Sequence, residues 1–193
     1  MTDWRLERVT APASSPVDLE EVKAQLRIDG TAEDALLQRY IDAATDAIEG
    51  PHGIGVLMES QEWNFYQDAF TRVIRIPLYP VISVDEVAYV DETGVEQILD
   101  PSKYRIDTVS NPARINAADG QTWPSTPTSE PNAVRVKFTG GYNKVPEALR
   151  AAVILWVAHM YEIRQPVVVG TTTDEVPYAI EEMLGRYRVP GIG

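Results

Sequence analysis

Val145-Pro-Glu-Ala-Leu-Arg-Ala-Ala-Val-Ile-Leu-Trp-Val-Ala-His-Met-Tyr-Glu-Ile-Arg164 is the stretch whose reading decides the fold. Pro146 has the fixed φ of a first helical residue, and Glu147 places a negative charge at the positive end of the helix dipole. From Ala151 to Ala158 no charge falls on any side. A helix without a polar face is buried on most sides, and this one is too short for a bilayer, which takes about 20 apolar residues. The stretch therefore reads as a central core helix, and what covers all of it becomes the question for the rest of the chain.

Upstream, two further helices are legible. In Val17-Asp18-Leu19-Glu20-Glu21-Val22, Asp18 caps a helix, Glu21 reaches back to it, and Val17 can staple onto Val22. That helix should end near Ile28, with Asp29-Gly30 as the turn. Thr31 is the next expected N-cap, with Glu33 and Asp34 in the first turn. Leu37, Ile41, Ala44 and Ile48 then recur at helical spacing, widened by Leu36 and Tyr40, until Gly50-Pro51 stops the helix.

Between the second helix and the central one the pattern changes. Trp63 and Phe65 alternate with polar neighbours, as do residues 73–76 and 84–90. Asp91-Glu-Thr-Gly94 reads as a hairpin turn into residues 97–99. Short runs at 104–106, 113–115 and 134–138 add strands, punctuated by Pro77, Pro80, Pro101, Pro112, Pro124, Pro127 and Pro131. The spacing predicts a small antiparallel sheet or sandwich. The fold class is thus α+β: a helical core (residues 17–50 and 145–185) with an inserted β module (residues 60–142). Gly140-Gly141-Tyr142 turns the chain from one into the other.

The flanks are less regular. Residues 1–16, with Pro12 and Pro16, read as an extended N-terminal arm. Residues 165–176, with Val167-Val-Val169 and Thr171-Thr-Thr173, have high β propensity and read either as a surface loop or as a strand that pairs with a partner. Pro177 opens a last helix that Gly185 ends. Residues 186–193 form a tail, basic at Arg186 and Arg188, expected to be flexible alone.

Composition narrows the function classes. The 193 residues are 44% apolar and 24% charged, as in a folded globular protein. There is no cysteine, which removes disulfides, thiol nucleophiles and cysteine-bound zinc. The N-terminus carries Asp3 and Glu7 without an apolar run, so no secretory signal is read and a cytoplasmic product is expected. The net charge of −12 opposes phosphate-neutralising adhesion to nucleic acid, yet an acidic wall would let DNA pass without sticking.

Chemistry has few candidates. Of the two histidines, His52 lies in a Pro-His-Gly turn and His159 within the central helix, and no metal-binding spacing connects them. Asp91-Glu-Thr-Gly94 lacks the further ligands of an EF-hand. Gly140-Gly141 is not followed by the Lys-Ser/Thr of a phosphate loop. With 29 acidic residues, chance places some carboxylates side by side, so no glycosidase-type pair stands out. Trp63, Phe65, Tyr66, Tyr89 and Trp123 could line a sugar or peptide site of a stand-alone binding module, but they alternate as core residues do. No catalytic residue, metal ligand or cofactor site is assigned.

Taken in order, the motifs resemble the head–tail connector (adaptor) proteins of tailed bacteriophages and gene transfer agents. The resemblance runs from about Val9 to Arg188. It rests on Val9-Thr-Ala-Pro with Pro16-Val-Asp-Leu and Leu26-Arg-Ile-Asp, on Glu33-Asp-Ala-Leu-Leu with Tyr40-Ile-Asp-Ala-Ala, on Trp63, and on Ile76-Pro-Leu-Tyr-Pro-Val-Ile-Ser-Val84 with Tyr89-Val-Asp. It continues through Val134-Arg-Val-Lys-Phe-Thr-Gly-Gly-Tyr142, Val145-Pro-Glu-Ala-Leu, His159-Met-Tyr-Glu-Ile-Arg164, Val176-Pro-Tyr and Leu184-Gly-Arg-Tyr-Arg188, where Gly185 departs from a bulkier residue. The resemblance implies a non-enzymatic virion protein at the head–tail interface, assembled in the bacterial cytoplasm. It implies a ring of this chain, a dodecamer, below the portal protein, extending the DNA channel and docking a head–tail stopper or other tail component. DNA would pass without specific binding, no membrane would be involved, and the portal contact would fall on Arg186, Tyr187 and Arg188.

Overall fold

The computed structural model describes residues 4–163 and 178–189. Among the described residues four α-helices, α1 (Leu19–Leu26), α2 (Asp34–Ile48), α3 (Glu147–Glu162) and α4 (Tyr178–Gly185), accompany eight strands. A five-stranded antiparallel sheet has the order β1 (Trp4–Thr10), β2 (Gln61–Gln67), β8 (Val134–Gly140), β4 (Val81–Val90), β5 (Glu96–Ile98). A three-stranded sheet has the order β3 (Val73–Ile76), β7 (Ala113–Ala117), β6 (Tyr104–Asp107). The architecture is α+β, as the period change in the sequence predicts.

The four α2 residues singled out by spacing, Leu37, Ile41, Ala44 and Ile48, are all fully buried. They pack on Leu149, Ala152, Val153 and Val157 of α3, with Val17, Val22, Ile54, Met58, Ile180 and Leu184 completing a helical core. A second core lies between the sheets, from Trp63 and Phe65 through Ile74, Ile76, Val87 and Ile115 to Val136 and Phe138. Leu57 belongs to the β core and its neighbour Met58 to the helical core, because adjacent side chains of an extended segment point opposite ways.

Several local expectations change. The first helix stops at Leu26, not near Ile28, since Arg27 adopts a left-handed conformation (φ 55°) and caps it. Glu33, not Thr31, flanks the start of α2. The reason is tertiary: Asp34 forms an ion pair at 3.1 Å with Lys23, whose side chain is almost fully buried between the two helices. The capping arrangement at Asp18 is present, its N–H donating to Glu21 at 3.2 Å, and Glu21 also receives the Arg150 guanidinium of α3. Residues 4–10 of the arm form an edge strand on β2. Residues 165–176 and 190–193 lie outside the described residues.

Helix α3 is covered on most sides, no residue from Ala148 to Tyr161 being exposed, but the cover is incomplete. Only Leu149, Ala152, Val153 and Val157 are enclosed; Ile154, Leu155, Trp156 and Met160 are half-buried. Its apolar surface exceeds what the described part of this chain covers.

Candidate functional site

Three places combine polar chemistry with exposed surface. The first is the junction between the two cores. Helix α2 ends at Ile48, so Glu49 enters the interior at the start of the loop leading to β2, and only 7% of it remains exposed. Its Oε1 accepts the Met58 N–H at 2.6 Å and Gln61 Nε2 at 2.9 Å. Gln61 Oε1 in turn accepts the indole N–H of Trp63 at 3.1 Å, and the Arg8 guanidinium of β1 lies 5.8 Å over the Trp63 ring. Burial raises the Glu49 pKa above the ordinary carboxylate value, against hydrogen bonds from Met58 and Gln61 and the charge of Arg8. The chain Arg8–Trp63–Gln61–Glu49 ties sheet, loop and helix together. Leu6, Arg8, Asp46, Pro51, His52 and Trp63 border a cleft of about 380 Å³ above it.

The second place is the C-terminal turn. Val189 is buried and its N–H donates to the Ile54 carbonyl at 2.8 Å. Tyr187 is half-buried against the helical core, near Tyr142, whose pKa burial pushes up to about 12, helped by Tyr79 and Tyr187. Arg186 and Arg188 on either side are exposed. The three residues expected to contact a portal are thus one folded turn on the helical core, carrying two outward cations.

The third is the tip of the β6–β7 hairpin. Asp107 accepts the N–H groups of Val109 (3.1 Å) and Ser110 (3.0 Å), the Ser110 hydroxyl (2.6 Å) and Arg114 Nε (3.1 Å). Those bonds, the Ser110 hydroxyl first, hold its carboxyl far below the usual range. The rigid turn presents Val109, 92% exposed.

None of these is a catalytic constellation. His52 is an exposed turn residue beside the cleft and His159 is half-buried in α3, far apart in the fold. Among the described residues no group of three His, Asp or Glu could hold a metal ion, and no helix is long and apolar enough to cross a membrane. Trp63 and Phe65 belong to the β core, and Trp123 stacks on Phe70 at 4.8 Å, so the aromatics form packing, not a platform for sugars.

The comparisons point one way. The phage gp6-like head-tail connector protein family matches residues 16–108. A chain in the neck of an empty gene transfer agent (GTA) particle, computed with C6 symmetry, superposes with a TM-score of 0.77 at 28% identity, covering 96% of this chain and 95% of that one. This chain is similar to head–tail connector proteins over nearly its whole length. A chain of the native GTA virion (TM-score 0.72, 28% identity, 95% of each chain) is similar to the connector, as is one of the native GTA neck computed with C12 symmetry (0.72, 26% identity, 96% and 95%). Curated protein sequences contain no significant match. The connector is a structural component of a phage-like particle and not an enzyme.

The junction carboxylate and the Asp107 tip went unread in the sequence. Glu49 stands beside the Gly50-Pro51 stop signal, and a charge next to a helix stop ordinarily lies in solvent. An Asx-type turn could have been suspected from Asp107-Thr-Val-Ser110 followed by Asn111-Pro112.

Proposed function

We propose that the connector closes into a homo-oligomeric ring of about twelve copies in the particle neck, below the portal, where it extends the DNA channel and offers the next tail component its docking surface. The observation that carries this reading is the near full-length likeness to neck chains in structures computed with C6 and C12 symmetry. A ring is built from heterologous contacts, so each copy needs two complementary faces, and the half-buried apolar residues of α3 suit one of them. The net charge of −12 suits a channel that DNA traverses without specific binding. The place of work is the virion, after assembly in the bacterial cytoplasm. Negative-stain microscopy and light scattering of the connector with its portal protein test the reading: an annular species many times the 21.5 kDa monomer is expected. A connector that stays monomeric with portal and is missing from purified particles would sink it.

The portal contact is proposed for Arg186, Tyr187 and Arg188. Arg186→Glu with Arg188→Glu is expected to weaken portal docking at least tenfold in a pull-down or biosensor titration while the circular dichroism melt is unchanged, since both side chains are exposed. Unaltered docking would move the contact elsewhere.

A further inference from the structure

Charge is unevenly placed in this chain. Residues 72–76, 103–107 and 113–117, which hold the three strands of the smaller sheet, contain five of the 17 basic residues but one of the 29 acidic ones. A basic surface thus stands on a protein of net charge −12. The pleat aims it outward. Ile74, Ile76, Tyr104, Ala113 and Ile115 are buried in the β core, so Arg75, Arg105 and Arg114, which alternate with them, project from the opposite face. Arg75 and Arg105 are exposed, and the Arg114 side chain is 42% exposed. Register crowds them: Arg75 stands directly opposite Arg114 across β3 and β7, about 5 Å away at Cα. Like charges so placed oppose the pairing of their strands. Arg114 is neutralised by Asp107 at 2.5 Å. Among the described residues Arg72 and Arg75 form no ion pair, and Arg105 donates only to the Ser102 and Tyr104 carbonyls. The face is built to meet an anion from outside.

We propose that this face docks on the outward side of α2 in a second copy, with Arg75, Arg105 and Arg114 set against Asp42 and Asp46; this rests on the ring reading above. Asp42 and Asp46 are exposed and one helical turn apart, so their side chains start about 5–6 Å from each other. That spacing matches arginines on neighbouring strands, about 5 Å apart. Asp46 has no hydrogen bond or ion pair with the described residues, and Arg39 is the only cation of the helix. Ala43 and Ala47 lie exposed beside the two carboxylates, so no bulky side chain there holds a flat sheet away. Within one copy the two surfaces point outward from separate cores, and they meet between copies. Copies that each carry −12 repel one another as they gather in a ring. Setting the basic face of each against an acidic face of the next replaces that repulsion with attraction at the contact and fixes the orientation of the subunits. A carboxylate between Arg75 and Arg114 also relieves the like-charge pair. The two faces differ, as a closed head-to-tail ring requires. DNA phosphates are the other anions in a particle neck, and the net charge of −12 opposes their approach.

The test exchanges the signs across the contact. Arg75→Glu with Arg105→Glu is made in the full chain and co-expressed with the portal protein. Both side chains are exposed, so the circular dichroism melt should be unchanged while rings counted by negative-stain microscopy fall at least tenfold. Asp42→Arg with Asp46→Arg should cause the same loss, and the chain carrying all four substitutions should recover rings. Arginine or aspartate variants that form rings as the wild type does overturn the proposal and leave the ring reading intact. A salt-sensitive affinity of wild-type rings for duplex DNA, lost in the arginine variant, would then assign the face to phosphates. A fourfold variant that folds but stays without rings also overturns the pairing. If the arginine variant melts early, Arg75→Gln with Arg105→Gln carries the same prediction, and a normal yield of rings from it is equally fatal. If the wild type forms no ring, the ring reading falls and the inference with it.

Discussion

Replacing Gly141 by alanine is expected to lower the stability of the connector by roughly 3 kcal/mol or more, the sum of a disfavoured backbone and an overpacked contact. Gly141 has φ +129°, and a Cβ there would lie 2.2 Å from the Glu59 carbonyl oxygen, 2.4 Å from its carbon and 2.7 Å from the Ser60 nitrogen. All three are backbone atoms, so no side chain can swing aside. The position is also where the chain passes between cores: the Gly141 N–H donates to Pro80 at 2.9 Å and the Tyr142 N–H to Met58 at 3.2 Å. Urea unfolding should show a lower midpoint with an unchanged slope. Gly94→Ala is the control, since Gly94 has a positive φ (+82°) but nothing within 4 Å of a Cβ; it should cost about 1–2 kcal/mol, the conformational part alone. Equal losses at the two sites would show that the close approach to Glu59 is unimportant.

Glu49→Ala should cost roughly 1–3 kcal/mol at neutral pH, because the Met58 N–H is left buried without its acceptor while the Gln61 amide keeps only its longer bond to the Glu59 carbonyl at 3.3 Å. Glu49→Gln keeps one acceptor oxygen and should lose less. The clearer signature is in pH. Burial raises the folded-state pKa of Glu49 above its unfolded value. Between those two values the folded chain binds more protons than the unfolded one, so this group makes stability fall as pH rises through the window. Below the unfolded pKa both states are protonated and the term is constant. Asp91, held down to about 2 by the Thr93 hydroxyl, the Val95 N–H and Gln97, works the opposite way: its contribution is present above the unfolded pKa and is lost as pH falls. The difference in urea midpoint between wild type and Glu49→Gln, followed from pH 4 to 7.5, should therefore shift against the wild type as pH rises. A difference flat across that range would mean that Glu49 does not titrate in the interior.

Local signals in the chain were readable where one segment decided the outcome. The spacing of Leu37, Ile41, Ala44 and Ile48 identifies the buried face of α2 because helix geometry alone sets that face. Alternation around Trp63 and Phe65, and again from Val134 to Phe138, marks the two central strands for the same reason. Where a distant residue decides, reading failed. Asp34 starts α2 because Lys23 waits on another helix, and Arg27 takes the left-handed cap that Gly30 looks designed for. The arm became a strand only because Gln61–Gln67 offers it an edge. Of the candidate surfaces, Arg186, Tyr187 and Arg188 were visible as a basic cluster. The cleft at the core junction was not, since its walls come from residues 6–8 and 46–63 and no single stretch contains it.

The interruption of the helical core by the β module has a consequence for synthesis. Helix α2 is complete at Ile48, but the α3 residues that cover its apolar face begin at Glu147, roughly 100 residues later. At about 5–20 residues per second, a ribosome leaves Leu37, Ile41 and Ile48 uncovered for on the order of 5–20 s. Meanwhile both sheets can close, since β1 to β8 are all translated before α3. A particle protein made in many copies at once thus exposes the same sticky helix on every nascent chain. Premature pairing between neighbours on a polysome is the hazard this gene order creates, and slowing translation before codon 147 should increase aggregation more than slowing it after codon 162.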